Sequence, residues 1–150
     1  MVTADLDGNG RREAIIDFPT AGLWIWNNNT AWTQLHALNT ELMTAGDFDG
    51  NGQADLIVDF GGYGLWNYRN NSTWSWVHPF SPSHLGAGDV DGSGKSDLIV
   101  DFGAANGIWK LLDGTTWSQL HTLTSTNILS ADLDGNGQTD VIINFGAAGL

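Results

Sequence analysis

Four short acidic segments carry the side chains of this sequence that are best suited to binding a cation. They read DLDGNGRRE from Asp5, DFDGNGQAD from Asp47, DVDGSGKSD from Asp89 and DLDGNGQTD from Asp132. In each run, oxygen-bearing side chains stand at positions 1, 3, 5 and 9, and position 7 can add a backbone carbonyl. Ca²⁺ takes six to eight oxygen ligands in flexible geometry, whereas Zn²⁺ prefers His or Cys and Mg²⁺ requires a stricter octahedron. The spacing therefore predicts up to four calcium sites.

The predicted ligands fall at the same five positions of every run. They are Asp5, Asp7, Asn9, Arg11 and Glu13; Asp47, Asp49, Asn51, Gln53 and Asp55; Asp89, Asp91, Ser93, Lys95 and Asp97; and Asp132, Asp134, Asn136, Gln138 and Asp140. Glycines at positions 4 and 6 allow the backbone to wrap through positive φ values. Glu13 replaces Asp at position 9 and Ser93 replaces Asn at position 5, so we expect the first and third sites to be weaker.

Two alternatives to a calcium loop of this kind are an EF-hand and a hairpin turn without an ion. An EF-hand loop requires a bidentate Glu at position 12, where the four runs have Ile16, Val58, Val100 and Ile143, so an EF-hand is excluded. Asp-Gly and Asn-Gly pairs also form hairpin turns without an ion. That alternative leaves 12 of the 17 acidic residues clustered without a counter-ion, whereas four Ca²⁺ would change the formal net charge from −12 to −4.

The acidic runs recur because the whole chain is an internal repeat. They start 42, 42 and 43 residues apart, and Trp, His and Asp residues recur in register with them. The predicted units span about residues 1–42, 43–84, 85–127 and, in part, 128–150. Short segments rich in β-branched and aromatic residues, separated by Gly, Asn and Ser, predict four strands per unit. This repeat matches the blade of a β-propeller, so we expect an all-β chain of about 3.5 blades, each of four antiparallel strands.

The motif D-x-D-G-[NS]-G-x-x-[DE], followed by an apolar strand such as Leu56 to Phe60, resembles the FG-GAP/VCBS repeat family. The resemblance covers essentially the whole chain, residues 1–150. It implies a fold like the integrin α-chain propellers and the fungal and bacterial propeller lectins. It also implies Ca²⁺ in the hairpin between the first and second strands of each blade. Sites this short suit the millimolar calcium outside cells, so we expect an extracellular or cell-surface location.

The composition excludes several classes of partner. The 150 residues include 5 Lys+Arg, 17 Asp+Glu and no Cys. The negative charge argues against nucleic acid and anionic membrane surfaces as partners, and thiol chemistry is excluded. No apolar run approaches the roughly 20 residues that cross a bilayer, so we expect no membrane insertion.

The aromatic and histidine residues divide into repeated and irregular ones. Six of the eight tryptophans follow the repeat and are predicted to pack between blades. Trp26 and Trp76 break it and are the predicted ligand-binding residues, because an aromatic face stacks on the apolar face of a sugar. The predicted polar partners are amide and carboxylate groups at 27–29, 70–71 and Asp113. The repeated histidines, His36, His78 and His121, occupy equivalent strands of different blades, so we expect them to pack and not to form one site.

These features predict a calcium-stabilised recognition module that is glycan-binding or adhesive, with a glycan or an extracellular protein as its partner. The alternative is a structural or accessory propeller segment of a larger secreted protein or enzyme. Catalysis by this chain is not expected, since no paired-carboxylate, triad or phosphate-loop pattern occurs. About 3.5 blades do not close a ring. We therefore expect either a longer natural propeller or a homo-oligomer whose copies complete the ring.

Overall fold

The computed structural model describes all 150 residues, and it consists of β-strands joined by short turns. The strands are β1 (Val2–Ala4), β2 (Glu13–Phe18), β3 (Gly22–Asn27), β4 (Ala31–His36), β5 (Leu42–Gly46), β6 (Asp55–Asp59), β7 (Leu65–Arg69), β8 (Thr73–His78), β9 (His84–Gly88), β10 (Asp97–Asp101), β11 (Ile108–Leu112), β12 (Thr116–His121), β13 (Asn127–Ala131) and β14 (Asp140–Asn144). Two short 3₁₀-helical turns span Gly61–Tyr63 and Gly146–Ala148. No helix of the chain is long and apolar enough to cross a membrane.

The strands form three four-stranded sheets and one two-stranded sheet. Strands β1 to β4, β5 to β8 and β9 to β12 each pair with their neighbours in chain order, and β13 pairs with β14. All of these pairings are antiparallel. A twisted antiparallel meander of four strands is the blade of a β-propeller. The predicted all-β fold of repeated blades, with a partial fourth one, is thereby confirmed.

The chain divides into two compact units. The first comprises Met1–Asp47 and Asn51–Ser81, and the second comprises Phe48–Gly50 and Pro82–Leu150. The first unit therefore contains the sheets β1–β4 and β5–β8. The second contains the sheet β9–β12 and the pair β13–β14.

The core of the first unit lies between its two sheets. Alternate residues of a strand point to opposite faces, and the first sheet contributes buried Ile15 and Leu23 while the second contributes buried Leu56, Val58 and Phe60. Burial of each large aliphatic side chain contributes about 1.5–3 kcal/mol. The two sheets are held face to face by this cluster.

The second unit has a smaller core of the same kind. Buried Ile99 and Ile108 of the four-stranded sheet pack against Ile128 of β13, and Val141, Ile143 and Phe145 from and beyond β14 surround them.

Strands β6 and β10 share the sequence DLIVD, and all five residues of each are buried. Alternate residues of a strand point to opposite faces, so the burial of all five residues shows that both faces of each strand are covered. The consequence is that four carboxylates, those of Asp55, Asp59, Asp97 and Asp101, are withdrawn from water. Buried carboxylates require hydrogen-bond donors or a cation.

Candidate functional site

The hairpins β1–β2, β5–β6, β9–β10 and β13–β14 carry the four acidic loops. In each loop one oxygen from each of the carboxylates at positions 1, 3 and 9 lies within 4.8 Å of the others. The groups are Asp5, Asp7 and Glu13; Asp47, Asp49 and Asp55; Asp89, Asp91 and Asp97; and Asp132, Asp134 and Asp140. Ligand oxygens lie 2.3–2.6 Å from a bound Ca²⁺, so two of them are at most about 5 Å apart. The spacing of these oxygens fits one shared hard cation per loop.

Backbone amides within each loop bend it around its own carboxylates. In the first loop Asp5 accepts hydrogen bonds from the backbone amides of Asn9 (3.1 Å) and Gly10 (2.7 Å). Gly8 and Gly10 adopt φ values of 73° and 84°, as the glycine spacing predicts. These bonds lie within six consecutive residues, so the loop shape follows from local sequence.

The position-5 side chains, predicted as ligands, all accept a hydrogen bond within the turn. Their oxygens accept the backbone amide of the residue at position 7, at 2.7 to 3.3 Å. The pairs are Asn9 with Arg11, Asn51 with Gln53, Ser93 with Lys95 and Asn136 with Gln138. Coordination through these side chains and through the position-7 carbonyls stays a prediction.

Glu13 distinguishes the first loop from the others. Its side chain is 1% exposed, and its Oε2 accepts a 2.9 Å hydrogen bond from the backbone amide of Leu6. Its Oε1 is buried and has no hydrogen-bond partner. A carboxylate oxygen in this state is unfavourable unless a cation or donor meets it. The carboxylate oxygens of the first loop therefore fit a bound cation.

Neighbouring groups shift the pKa values of two acids in the loops. Burial raises the pKa of Asp97, the negative charges of Asp91 and Asp113 raise it further, and hydrogen bonds from the backbone amides of Asp113 and Val90 partly offset these effects. A hydrogen bond from the side chain of Asn28 is the main cause of the lowered pKa of Asp7. The neighbouring charges of Asp91 and Asp113 thus add to the effect of burial at Asp97.

The turns between the third and fourth strands contact these loops. The sequence suggested that amide and carboxylate groups of these turns contact a sugar, and that contact stays a prediction. In the structure, Asn28, Asn70 and Asp113 form hydrogen bonds with the acidic loops. Asn28 donates a 2.8 Å hydrogen bond to Asp7, and Asp113 accepts one of 2.9 Å from Ser93. The amide oxygen of Asn70 accepts from the side chain of the position-5 residue of the second loop. These three residues have positive φ values of 48–50°, and their side chains buttress the acidic loops through these hydrogen bonds.

The repeated second-strand acids fasten the segment that enters the next sheet. Asp59 accepts a 2.7 Å hydrogen bond from Ser81, and Asp101 accepts one of 2.7 Å from Ser125. His84 approaches both Ser125 (3.3 Å) and Asp101 (3.7 Å) through the same ring nitrogen, Nδ1. A Ser–His–Asp relay needs the two ring nitrogens to serve different partners. The arrangement is a structural clamp.

An aromatic cleft opens between the two sheets of the first unit. It has a volume of about 230 Å³ and is lined by His36, Leu38, Phe60, Tyr63, Trp66 and Trp74. The His36 ring lies 4.5 Å from the Phe60 ring and 5.6 Å from the Trp74 ring, measured between centroids. The cleft and the acidic loop of β5–β6 lie at opposite ends of β6. Five strand residues at about 3.3 Å each separate them by roughly 16 Å.

Trp76 stands on the outer strand beside this cleft. It pairs in register with Trp66, and its side chain is 57% exposed. The equivalent residues of the first and third sheets, Gln34 and Gln119, donate hydrogen bonds to backbone oxygens of the preceding turn at 2.9 and 3.1 Å. Tyr63 of the cleft lining is 68% exposed. Trp76 is therefore the place where the second sheet departs from the repeat.

Trp26 lies outside the cleft. Its ring is 5.1 Å from that of Trp32, and its indole donates a 3.2 Å hydrogen bond to Asn29. It faces the side of the first sheet opposite to the core, together with Phe18 and Trp32. The structure does not bring Trp26 and Trp76 into one site.

The repeated histidines pack as expected. Each accepts, through Nδ1, a backbone amide two residues later, at 3.1 Å for His36, 3.2 Å for His78 and 3.0 Å for His121. Burial lowers the pKa of His78. The cleft is also lined by His36, Trp66 and Trp74. For all three, the sequence predicted only a packing role. The signal that points to the cleft in the sequence is Trp76, in place of the repeated Gln.

No family model and no curated protein matches this sequence. Among the solved structures that match is a lectin from Agrocybe aegerita, described for its specific recognition of non-reducing terminal N-acetylglucosamine. It has a TM-score of 0.64 and 20% identity, over 94% of this chain and 46% of that chain. Another is BBS1N in complex with ARL6DN, with a TM-score of 0.63 and 16% identity, over 87% of this chain and 47% of that one.

The chain spans about half the length of these solved structures. At such identities the likeness shows the fold, which agrees with the β-propeller blades seen in the sheets. Membership of the FG-GAP/VCBS family stays a prediction that rests on the loop motif.

Proposed function

We propose that this chain is a glycan-binding β-propeller module whose acidic loops hold Ca²⁺ and which acts outside the cell or on its surface. The observation that carries the glycan assignment is the aromatic cleft between the two sheets of the first unit. The fold likeness to a lectin that recognises terminal N-acetylglucosamine supports the same assignment.

The chemistry of the cleft suits one sugar ring. Its volume of about 230 Å³ is below the range of about 300–1,000 Å³ that is common for drug-sized ligands. The lining is aromatic and aliphatic, so it favours the apolar face of a pyranose or the methyl group of an N-acetyl substituent. The hydroxyl of Tyr63 and the imidazole of His36 supply polar contacts at its edge. A net charge of −12 disfavours sulfated and phosphorylated glycans.

Calcium belongs to this proposal because of the chemistry of the acidic loops. A bound Ca²⁺ supplies the positive charge that the clustered carboxylates lack. Glu13, with a buried and unpartnered oxygen, is the residue that most requires it. The buttressing contacts of Asn28 and Asp113 hold the loop side chains in place for the ion.

The test is glycan binding by the whole chain, measured on a glycan array and then by calorimetry with N-acetylglucosamine oligomers. We expect Trp76→Ala and Tyr63→Ala to abolish binding, because both side chains are exposed beside the cleft. The matched control is Trp32→Ala, since Trp32 is the repeat equivalent of Trp74 and lies on the opposite face of the first sheet. Binding that survives both cleft variants, or that is lost only in the control, contradicts the assignment of the cleft.

A second candidate is a module that binds protein or serves as an accessory segment. The likeness to BBS1N, solved in complex with ARL6DN, favours it. A chain that binds no glycan on the array but melts at a calcium-dependent temperature supports this candidate. Association between copies stays a prediction, and light scattering at micromolar concentration checks it.

A further inference from the structure

We infer that the four acidic loops are not equivalent, and that the first loop, through Glu13, is the strongest cation site of the chain. The inference rests on the calcium binding proposed above and goes beyond it by ranking the sites. It reverses the expectation from sequence, in which a Glu at position 9 marked a weaker site.

The first step of the argument is the state of the Glu13 carboxylate. Its side chain is almost fully buried, one oxygen accepts the Leu6 amide at 2.9 Å, and the other has no partner. The guanidinium of the adjacent Arg12 is directed to the backbone oxygen of Thr3 at 3.3 Å. The free oxygen of Glu13 therefore meets no positive charge from its neighbour in sequence. Because Glu13 belongs to the same oxygen cluster as Asp5 and Asp7, an ion in that cluster lies within its reach.

The second step is the contrast with the third loop. Both oxygens of Asp97 accept backbone amides, from Val90 and from Asp113, each at 2.9 Å. A carboxylate whose two oxygens already accept hydrogen bonds gains less from a cation than one with an unpaired oxygen. The equivalent Asp55 of the second loop also accepts an amide, from Asn70 at 2.9 Å.

The fourth loop differs for another reason. Asp140 accepts the Leu133 amide at 2.9 Å but is only half-buried, so water reaches its surroundings. Asp132 and Asp134 of the same loop are exposed. Attraction between a cation and exposed carboxylates is weakened by the high dielectric constant of water. The buried carboxylate of Glu13 avoids this loss.

A cation-binding role and a purely structural role for Glu13 predict different melting temperatures for a charge-removing variant. Replacement by Gln keeps the size and removes the negative charge. In EDTA the Glu13→Gln variant should melt at a higher temperature than the wild type, because an uncompensated buried charge is gone. In saturating CaCl₂ it should melt at a lower temperature, because the strongest ion contact is gone.

The experiment uses the whole chain, stripped with EDTA and titrated with CaCl₂ by calorimetry, with melts recorded in both conditions. We expect the tightest binding step to weaken at least tenfold in Glu13→Gln and to persist in the matched control Asp97→Asn. Glu13→Asp, which restores the residue of the other loops, provides a second variant if Gln impairs folding. Its tightest step should also weaken.

Two results overturn the inference. A tightest step that survives in Glu13→Gln and Glu13→Asp but disappears in Asp97→Asn assigns the strongest site to the third loop. A Glu13→Gln variant that melts lower than the wild type in EDTA as well as in CaCl₂ gives Glu13 a structural role only. If the wild type binds no Ca²⁺ at all, the calcium part of the proposed function fails, and this result is distinct from binding that ignores Glu13.

Discussion

Ser125 donates two hydrogen bonds to one oxygen of Asp101, from its backbone amide at 2.6 Å and from its hydroxyl at 2.7 Å. The hydroxyl of Thr124 adds a third at 2.8 Å, and the amide of Gly103 bonds the other carboxylate oxygen at 2.8 Å. One buried carboxylate at the end of β10 thereby fastens the segment that leads from β12 to β13. Asp59 holds the same position in the preceding sheet.

We expect Asp101→Asn to destabilise the chain by about 1–3 kcal/mol at neutral pH, because donors around a buried acceptor lose their partner. Burial alone would raise the pKa of Asp101, but the hydrogen bonds from Ser125, Gly103 and Thr124 outweigh it and lower the pKa below 3.8. The stability that the ionised Asp101 carboxylate contributes is therefore present above pH 3.8 and is lost as the pH falls through the folded-state pKa of Asp101. Urea unfolding should show the gap between variant and wild type narrowing in acid. A gap that stays constant with pH contradicts this prediction.

The pH response of Asp59 should have the opposite sign. Burial raises its pKa, the charge of Glu41 adds to the effect, and hydrogen bonds from Ser81 and Gly61 only partly oppose it. A raised pKa means that the folded state retains the proton to higher pH than the unfolded state. The contribution of Asp59 to stability therefore declines as the pH rises from 3.8 through the folded-state pKa.

Asp59→Asn should remove this part of the pH dependence, and Glu41→Gln should reduce it. Urea unfolding at several values between about pH 4 and 7 measures the slope. An Asp59→Asn variant with the slope of the wild type would falsify this assignment.

Gly64 should not tolerate a side chain. Its φ is 78°, and a Cβ atom there would overlap the backbone oxygen of His78. Gly64→Ala is expected to lose more than about 2 kcal/mol, from strain and overlap together. Gly52→Ala is the control, since its φ of 85° is similar but a Cβ would meet no atom within 4 Å. It should lose only the backbone strain, about 1–2 kcal/mol. Thermal or urea unfolding compares the two, and equal losses would contradict the overlap.

Asp113→Asn should stabilise the ion-free chain slightly and weaken calcium binding at the third loop. Asp113 adds negative charge beside Asp97 and accepts a hydrogen bond from Ser93. Asn tolerates its φ of 50°. Loss of the 4.0 Å ion pair between Asp113 and Lys95 partly offsets the relief of repulsion, so the net effect of this half-buried charge should stay below about 1 kcal/mol.

The reciprocal variant Asn70→Asp, at the same turn of the second sheet, should show the reverse pair of effects. Melting in EDTA and calorimetric titration with CaCl₂ measure both variants. Changes of the same sign in the two conditions would argue against an electrostatic cause.

The strands and acidic loops could be predicted from the sequence because the interactions that form them are local. In the first loop, Asp5 bonds amides only four and five residues away, and two glycines permit the wrap. The meander order follows from short apolar segments separated by turn residues, repeated about every 42 positions. Repeats with the same pattern of glycines, acids and apolar residues adopt equivalent local structures, so one interpretation of the pattern applies to all four units.

The environment of each repeated residue was decided only by what packs against it. Phe18 and Trp32 match Phe60 and Trp74 in sequence, yet the first pair is 38% and 45% exposed while the second lines the cleft. The difference arises because the first sheet, through His36, covers the second pair.

The same reason explains Glu13 and Asn28. Position 9 of the motif predicts a carboxylate, but whether each of its oxygens meets an amide depends on how the turn between the third and fourth strands docks on the loop. Asp113 donates its amide to Asp97, whereas Asn28 bonds Asp7 through its side chain and Glu13 retains an unpartnered oxygen. Contacts between segments some 15 to 21 residues apart use residues that recur with the repeat, but which atoms they join differs from loop to loop, so only the tertiary structure distinguishes loops that the repeat makes look alike.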